Sequence, residues 1–353
     1  MPDIQVNVMM FGSRRCGKTS VLAAMQSCFE REFNNTNLSI VTADNGTLTT
    51  LEEKYREIED YFINGGNREF QPDDTPSQGI SQYKFKIGLR NRRTDSIIVN
   101  FIDYPGEWIS DADHADELTN IMNTSHIIII ATDSPYLMEA IPAGNEDGVG
   151  RFNDRRNYCY RIGQWVQTNF SAATNFSQRM VLFVPLKCEK YYHKNQMDLL
   201  NQKLKTAYNT TFNFFQNKNQ FYEVAVTPIL TCGAENSGVE FSRFKRDSNN
   251  EIDLDPHWKT PKQAIYIFTK RMPAPQPIHC EQPMVYVLAY ILTMAERQRR
   301  QSRGPLGDIW DWLRETFGNF AAADDFLLEL KIIKRKMKTS GNGYEIVCNP
   351  LHF

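Results

Sequence analysis

Residues 12–19, GSRRCGKT, decide the fold of this 353-residue chain. They match the pattern G-x-x-x-x-G-K-S/T, in which two glycines bracket a tight loop. Residues 6–11 before the loop read as a short buried strand, and residues 20–29 after it carry apolar side chains at helical spacing. A strand, a glycine-rich loop and an amphipathic helix in this order are the context that the phosphate-loop pattern requires, which argues against a chance match.

The residue types in this loop are those that bind a nucleoside triphosphate. The two glycines let the backbone curl so that amide N–H groups point at an anion, and the positive end of the following helix adds to the attraction. Lys18 would reach the β- and γ-phosphates, and Thr19 would place its hydroxyl on Mg²⁺. We expect nucleotide contacts along the whole turn, from Gly12, Ser13, Arg14, Arg15, Cys16, Gly17, Lys18, Thr19 and Ser20.

Composition narrows the class of protein. The 40 Lys and Arg against 42 Asp and Glu leave a formal net charge of −2, and this balance disfavours nucleic acid or an anionic membrane as a partner. The 7 cysteines are scattered singly, which is typical of a reducing compartment rather than of a disulfide scaffold or zinc site. We see no signal peptide and no apolar run long enough to span a bilayer, and therefore expect a soluble cytoplasmic protein.

Two strands before the next motif set the kind of phosphate-loop protein. Residues 82–89, QYKFKIGL, alternate between polar and apolar, and residues 96–102, SIIVNFI, are mostly apolar. The turn that joins them is so short that the two strands must run antiparallel. An antiparallel hairpin at this place fits poorly with an ATP-dependent kinase or motor.

Asp103 ends the second of these strands, in the segment DYPGEW. An aspartate there is the expected partner, usually through water, of the Mg²⁺ held by Thr19. Gly106 follows three residues later and can turn its N–H toward a γ-phosphate with no Cβ in the way. The alternative is that Asp-Tyr-Pro-Gly is an ordinary turn at the end of a strand.

The loop, the hairpin and the Asp103–Gly106 spacing together resemble the translation-factor and Ras-like (TRAFAC-type) class of P-loop GTPases. The segments FGSRRCGKTSVLAAM and DYPGEW are most similar to those of bacterial double-GTPase and YcjX-like proteins. The resemblance implies an α/β fold, a doubly wound mixed sheet with an antiparallel hairpin of its second and third strands and the nucleotide at the carboxyl ends of the strands. We expect a GTPase domain with inserted loops at residues 1–301 and a small appendage at residues 302–353.

This resemblance also implies a base-reading motif, N/T-K-x-D, after the fifth strand. Residues 180–186 read as that strand, and Lys187 and Glu189 follow it. The alkyl stem of Lys187 would lie along the purine ring, and Glu189 would accept the guanine N–H groups. However, Leu186 replaces the polar first residue and glutamate is one methylene longer than aspartate, so the preference for GTP over ATP stays open.

Two further loops are expected to complete the site. Cys232 and Gly233, in the segment TCGA, stand where the class contacts the base through its backbone. Thr75, in the segment DDTPSQG, has the position of the switch I threonine, which would contact Mg²⁺ from a segment able to order and disorder. A plain turn threonine is the alternative at that position. The competitors for the same role are Thr42, Thr47, Thr49 and Thr50.

Hydrolysis needs a group that orients water and a positive charge for the transition state, in addition to Lys18 and Gly106. Glu107 stands where relatives often carry glutamine. Its carboxylate could orient water, but its charge would repel the γ-phosphate, and it could equally cap the next helix. Arg15 has the place of the in-cis arginine finger of guanylate-binding-type GTPases. Arg14 could substitute for it, or both arginines could face solvent or a partner.

We therefore expect a Mg²⁺-dependent molecular switch that binds and hydrolyses GTP, with GTP and GDP as ligands. Because Glu107 is a poor mimic of the usual residue, intrinsic turnover should be slow and quickened by self-association or a protein partner. The alternative is a nucleotide-binding interaction module, for GTP or ATP, with little hydrolysis. The double-GTPase resemblance implies, by analogy, a place in a bacterial conflict or stress system.

Overall fold

The computed structural model describes residues 4–13, 16–64, 68–70, 79–90, 97–139, 156–171, 178–233, 239–254, 264–268, 274–300 and 321–353. Three predicted site residues, Arg14, Arg15 and Thr75, lie outside the described residues, and so does the segment 302–320 of the predicted appendage.

Within the described residues, the strands form one sheet of nine strands and one of three. In chain order they are β1 Ile4–Phe11, β2 Leu38–Thr42, β3 Arg68–Phe70, β4 Ser81–Leu89, β5 Ile97–Asp103, β6 Ile127–Asp133, β7 Arg179–Leu186, β8 Tyr222–Val226, β9 Val239–Phe244, β10 Ala264–Phe268, β11 Ser340–Gly341 and β12 Tyr344–Cys348. The large sheet has the order β11-β12-β8-β7-β6-β1-β5-β4-β2, and the small sheet has the order β3-β10-β9.

Helices cover both faces of the large sheet. They are α1 Lys18–Phe33, α2 Asn45–Ile63, α3 Ala115–Thr124, α4 Ser134–Met138, α5 Cys159–Ser171, α6 Glu189–His193, α7 Met197–Ala207, α8 Asn209–Asn217, α9 Gln282–Arg300 and α10 Ala321–Lys336, with a 3₁₀ turn at Gly106–Ser110. One buried apolar cluster joins α1 and α9 to one face, and a second joins α3, α5, α7 and α8 to the other. Of the helices described, none combines the length and the apolar character that crossing a bilayer requires.

The strand directions confirm the predicted fold class. Strand β1 is parallel to β5 and β6, and β6, β7 and β8 follow in parallel. Strand β4 is antiparallel to β5, as the short turn between them required. The chain is therefore a doubly wound α/β protein with a mixed sheet and an antiparallel hairpin that ends at Asp103.

Strand β2 and helix α2 stand between α1 and this hairpin. Strand β2 pairs antiparallel with β4 at one edge of the large sheet. The Oδ1 atom of Asp44 caps α2 by accepting the Thr47 N–H at 2.7 Å. The hairpin of β4 and β5 is thus antiparallel as predicted, and β2 adds a further antiparallel strand beside β4.

Residues 199–215 carry apolar side chains at helical spacing throughout, yet the structure divides this stretch into two helices. Helices α7 and α8 meet at Tyr208, whose φ of −99° and ψ of 26° depart from helical values. The ring of Tyr208 is buried, and its hydroxyl donates to the Asn157 carbonyl at 3.0 Å. The break therefore coincides with a tertiary contact, while apolar spacing continues through it.

The C-terminal segment contributes a strand to the large sheet. Strand β12 pairs antiparallel with β8, and the Tyr344 hydroxyl donates to the Pro228 carbonyl at 2.7 Å. Leu351 is buried in the same cluster as α1 and α9. The described end of the chain therefore packs on the main core, and a domain boundary at 301/302 stays a prediction.

Phe85 tests how the hairpin packs on α1. Its side chain is fully buried on β4 and meets the rings of Phe29 and Phe101 edge-on, with centroids at 5.4 and 5.6 Å. We expect Phe85→Ala to lower the free energy of unfolding in urea by about 3–5 kcal/mol, because it leaves a cavity. The matched control is Val41→Ala on β2, which is 52% exposed and should change it by about 0.5 kcal/mol or less. Equal losses would contradict this packing.

Candidate nucleotide-binding site

Neither glycine of the loop could be replaced by a residue with a Cβ without strain. A Cβ on Gly12 would lie 2.9 Å from the Ala131 carbonyl oxygen and 3.2 Å from Cys16 Sγ. Gly17 has φ of 107°, in the left-handed region that suits glycine, and immediately precedes the first residue of α1. The two glycines of the motif therefore meet two different needs, close approach at the first and backbone conformation at the second.

Lys18 is folded over this loop and buried. Its Nζ donates to the carbonyl oxygens of Gly12 at 3.1 Å and Ser13 at 3.3 Å, and lies 3.5 Å from Asp103 Oδ1. Burial opposes the charged form, but the nearby Asp103 carboxylate outweighs it and raises the pKa of Lys18 above its ordinary value. The ammonium group therefore stays positive where an anionic ligand would meet it.

The predicted metal contacts meet across the sheet. Because β1 and β5 are parallel neighbours with Met10 opposite Asp103, the aspartate lies beside the loop that follows β1. Thr19 Oγ1 donates to Asp103 Oδ2 at 3.1 Å. Asp103 Oδ1 is buried and has no hydrogen-bond partner among the described residues. Its ionic partner there is Lys18 Nζ at 3.5 Å. A hydroxyl and a carboxylate oxygen without a hydrogen bond fit the donor preference of Mg²⁺.

The segment after Asp103 lies along the same edge. The Tyr104 ring is buried, stacks on Trp108 with centroids 6.5 Å apart, and lies 5.8 Å from Lys18 Nζ. Gly106 is buried at the start of the 3₁₀ turn, whereas Glu107 is exposed. The structure therefore buries Gly106 three residues after Asp103 and leaves Glu107 exposed to solvent.

A cavity of about 110 Å³ continues from the loop along the carboxyl ends of β7 and β8. The predicted residues that line it come from the loop, the base-reading segment and the segment after β8: Cys16, Gly17, Ser20, Lys187, Glu189 and Cys232. Leu186, the departure from the expected motif, also lines it. The phosphate end and the base end of the expected site are therefore continuous.

Glu189 ties the two base-side segments together. Its carboxylate is buried, and Oε1 accepts the Cys232 N–H at 3.0 Å. Burial raises the pKa of Glu189, against the opposing effects of the Cys232 N–H and the Lys187 charge. Gly233, next in the chain, has φ of 96°, and a Cβ there would overlap the Gln276 carbonyl oxygen.

Sequence reasoning missed one wall of this cavity. Lys54, Glu57, Ile58 and Tyr61 from α2 and Tyr266 from β10 line it. The apolar spacing of residues 47–62 predicts a helix, but it carries no signal that this helix borders a ligand site. Phe62, on the same helix, packs against Cys232, Ile58 and Tyr61.

The described site residues therefore lie at one edge of the large sheet. Their roles in binding stay predictions. The sheet topology and the glycine loop define a P-loop protein with the fold of the translation-factor and Ras-like GTPase class. The family model described as Double-GTPase 2 matches residues 7–231. The chain belongs to this family, which confirms the resemblance drawn from its motifs.

Three solved structures show remote likeness. Sup35 complexed with GDP has 10% identity and a TM-score of 0.28, covering 71% of this chain and 41% of that one. The S. cerevisiae Ski7 GTPase-like domain, bound to GDP and inorganic phosphate, has 12% identity and a TM-score of 0.27, covering 65% of this chain and 43% of that one. The apo cytosolic domain of the T. maritima FeoB iron transporter has 10% identity and a TM-score of 0.25, covering 96% of this chain and 88% of that one.

This chain thus spans less than half the length of the Sup35 and Ski7 chains that it matches. All three TM-scores lie below 0.5. A comparison with curated proteins found none with significant similarity.

Gly233 tests the geometry of the segment after β8. We expect Gly233→Ala to lower the free energy of unfolding, because the added Cβ meets both an unfavourable φ, about 1–2 kcal/mol, and the Gln276 carbonyl. Gly341→Ala is the matched control, since Gly341 has φ of 75° with nothing within 4 Å of a Cβ. Denaturant unfolding should show a clearly larger loss at Gly233. Equal losses would mean that the close approach to Gln276 is absent.

Proposed function

We propose that this chain is a Mg²⁺-dependent molecular switch that binds and hydrolyses GTP. The observation that carries the proposal is the 3.1 Å contact between Thr19 Oγ1 and Asp103 Oδ2, with Lys18 Nζ 3.5 Å from the same carboxylate. It places the hydroxyl of the phosphate loop, its lysine and the acid of the D-x-x-G segment within one group. Membership of the Double-GTPase 2 family supports the same conclusion.

The chain's own groups bind the phosphates. The amides of the loop and the N-terminus of α1 face the anion, and the Lys18 ammonium adds a positive charge that is already stripped of most of its water. To contact a phosphate, Lys18 exchanges its bonds to the Gly12 and Ser13 carbonyls for bonds to the ligand. Gly106, in the D-x-x-G segment, is proposed to donate its N–H to the γ-phosphate.

Thr19 and Asp103 would hold Mg²⁺, with Thr75 as a proposed third contact. The ion, when bound, neutralises charge on the β- and γ-phosphate oxygens. The buried Asp103 Oδ1, which has no hydrogen bond among the described residues, is the atom that supports this assignment. Loss of the γ-phosphate would release the segments around Thr75 and Gly106, which gives the switch.

Guanine recognition falls to Lys187 and Glu189. Glu189 already accepts the Cys232 N–H with one carboxylate oxygen, so the base and the backbone would share a single carboxylate. This arrangement supports a site in which the segment after β8 and the base are fixed together. Glu189 is the proposed guanine acceptor, with a side chain one methylene longer than the usual aspartate.

Hydrolysis is proposed to be slow without a partner. Glu107 is exposed and negatively charged, so in the isolated chain it neither shields the γ-phosphate from solvent nor attracts it. A second protein, or a second copy, could exclude water at this edge and bring Arg15 or its own arginine to the phosphates. This partner, and a role in a bacterial conflict or stress system, are parts of the proposal.

Lys18→Ala tests nucleotide binding directly. We expect at least about tenfold weaker GTP binding in Mg²⁺, because a charge-assisted contact to phosphate is lost. Calorimetric titration with GTP, GDP and ATP, each with and without Mg²⁺, gives both base preference and metal dependence. Lys86→Ala, an exposed lysine on β4, is the control and should bind as wild type. If Lys18→Ala binds GTP as tightly as the wild type, the proposal is wrong. If GTP and ATP bind equally well, the site does not recognise guanine.

Glu107→Gln tests the catalytic part. We expect multiple-turnover phosphate release by the wild type to be slow, on the order of 10⁻² s⁻¹ or less, and to rise per molecule with protein concentration. The neutral variant should turn over severalfold faster, since the repulsion of the γ-phosphate is removed. Glu117→Gln, an exposed acid in the first turn of α3, controls for charge. A slower Glu107→Gln would make Glu107 the group that activates water, and no release at any concentration would favour the binding module.

A further inference from the structure

A buried carboxylate at the base end of the site has no part in the function proposed above. Asp133 is the last residue of β6, and its side chain is fully buried. Its Oδ2 accepts a hydrogen bond from Lys187 Nζ at 2.9 Å and lies 3.6 Å from the guanidinium of Arg156. A charge this deeply buried is costly unless its partners are well placed.

The position of this carboxylate is determined on two sides. In the parallel pair of β6 and β7, Asp133 lies opposite Leu186, the residue before Lys187. The side-chain amide of Asn157 brackets its main chain, accepting the Asp133 N–H at 2.8 Å and donating to its carbonyl at 3.3 Å. The carboxylate is therefore a rigid anchor beside the base-reading segment.

Lys187 is held in an uncommon arrangement. Its φ of 59° is left-handed, which a non-glycine residue adopts at a cost. Its side chain lines the cavity, while its ammonium lies against Asp133 and 5.4 Å from the centre of the Tyr266 ring. The Lys187 ammonium thus lies at the border of the cavity, where it contacts the buried Asp133 carboxylate.

Two cations share one carboxylate here. With Lys187 and Arg156 protonated, the three side chains carry a net charge of +1. Replacing the carboxylate by an amide would leave two positive charges close together in a region with little water, where they repel strongly. Lys187 lines the cavity and Arg156 does not, so its ammonium would move into the space that the base would occupy.

We propose that Asp133 is a positioning residue for base recognition. It anchors the Lys187 ammonium outside the space for the base, so that the alkyl stem rather than the charge lies along a purine ring. This inference rests on the proposed nucleotide function and adds to it a specificity residue from a strand outside the known motifs.

Asp133→Asn, which keeps the shape of the side chain, tests the proposal in the full chain. We expect GDP affinity to fall by about tenfold, the size of one lost base-stacking contact. The affinity for inorganic pyrophosphate with Mg²⁺ should stay within about twofold, since the phosphate loop is untouched. Calorimetric titration measures both. Unchanged GDP affinity, or an equal loss for pyrophosphate, would overturn the proposal.

The double variant Asp133→Asn/Lys187→Met separates positioning from a merely structural role. Methionine keeps an apolar stem without the charge, and the double variant restores the net charge of +1. Lys187→Met alone should lose GDP affinity by less than Asp133→Asn, and the double variant should match Lys187→Met within about threefold, which is a rescue. A double variant that binds GDP as weakly as Asp133→Asn would overturn the proposal. The comparison with Lys187→Met also decides the matter if Asp133→Asn does not fold.

Glu139→Gln provides the matched control. Glu139 accepts from Lys190 Nζ and from the Tyr191 hydroxyl, each at 2.8 Å, in a neighbouring contact that does not line the cavity. Its GDP affinity should be that of the wild type, and a tenfold loss there would refute a specific role for Asp133. Lys18→Ala distinguishes the two levels of inference: if it loses GDP while Asp133→Asn does not, only the role of Asp133 fails, whereas unchanged binding by Lys18→Ala removes the nucleotide function itself.

Discussion

The structure depends on the approach of Asp103 to Lys18 and Thr19. The aspartate and the threonine are 84 positions apart in the chain, and the parallel register of β1 and β5 brings them together. Neither Lys18 nor Asp103 could be buried cheaply alone, since each would carry an uncompensated charge into the protein. The hairpin that ends at Asp103 must therefore lie against β1, and this requirement orders the rest of the sheet around the glycine loop.

The base end of the site is assembled from parts that lie far apart in the chain. Helix α2 packs through Phe62 on Cys232, while Glu189 holds the same residue from the other side. Strand β3, just after α2, pairs with β10, and Tyr266 of β10 borders the cavity with Lys187. The chain directly after α2 is thus connected to the base side through β10.

Local rules explain which parts of the fold could be predicted. A six-residue turn between two apolar segments permits one strand direction, so the hairpin and Asp103 at its end followed from residues 82–103 alone. The break at Tyr208 did not, because the periodicity of apolar residues continues through it. At the break the Tyr208 hydroxyl contacts Asn157, and a contact between residues that are distant in the chain leaves no local pattern.

By itself, the sequence determined the phosphate loop, the class of fold and the family. Spacing of Gly12, Gly17 and Lys18 is a local property, since backbone curl and helix start depend on neighbouring residues. Tertiary structure alone decided that α2 borders the cavity and that Asp133 holds Lys187, 54 positions away. The physical reason is that buried charges and cavity walls are set by strand order and register, which bring together side chains whose partners no local spacing can reveal.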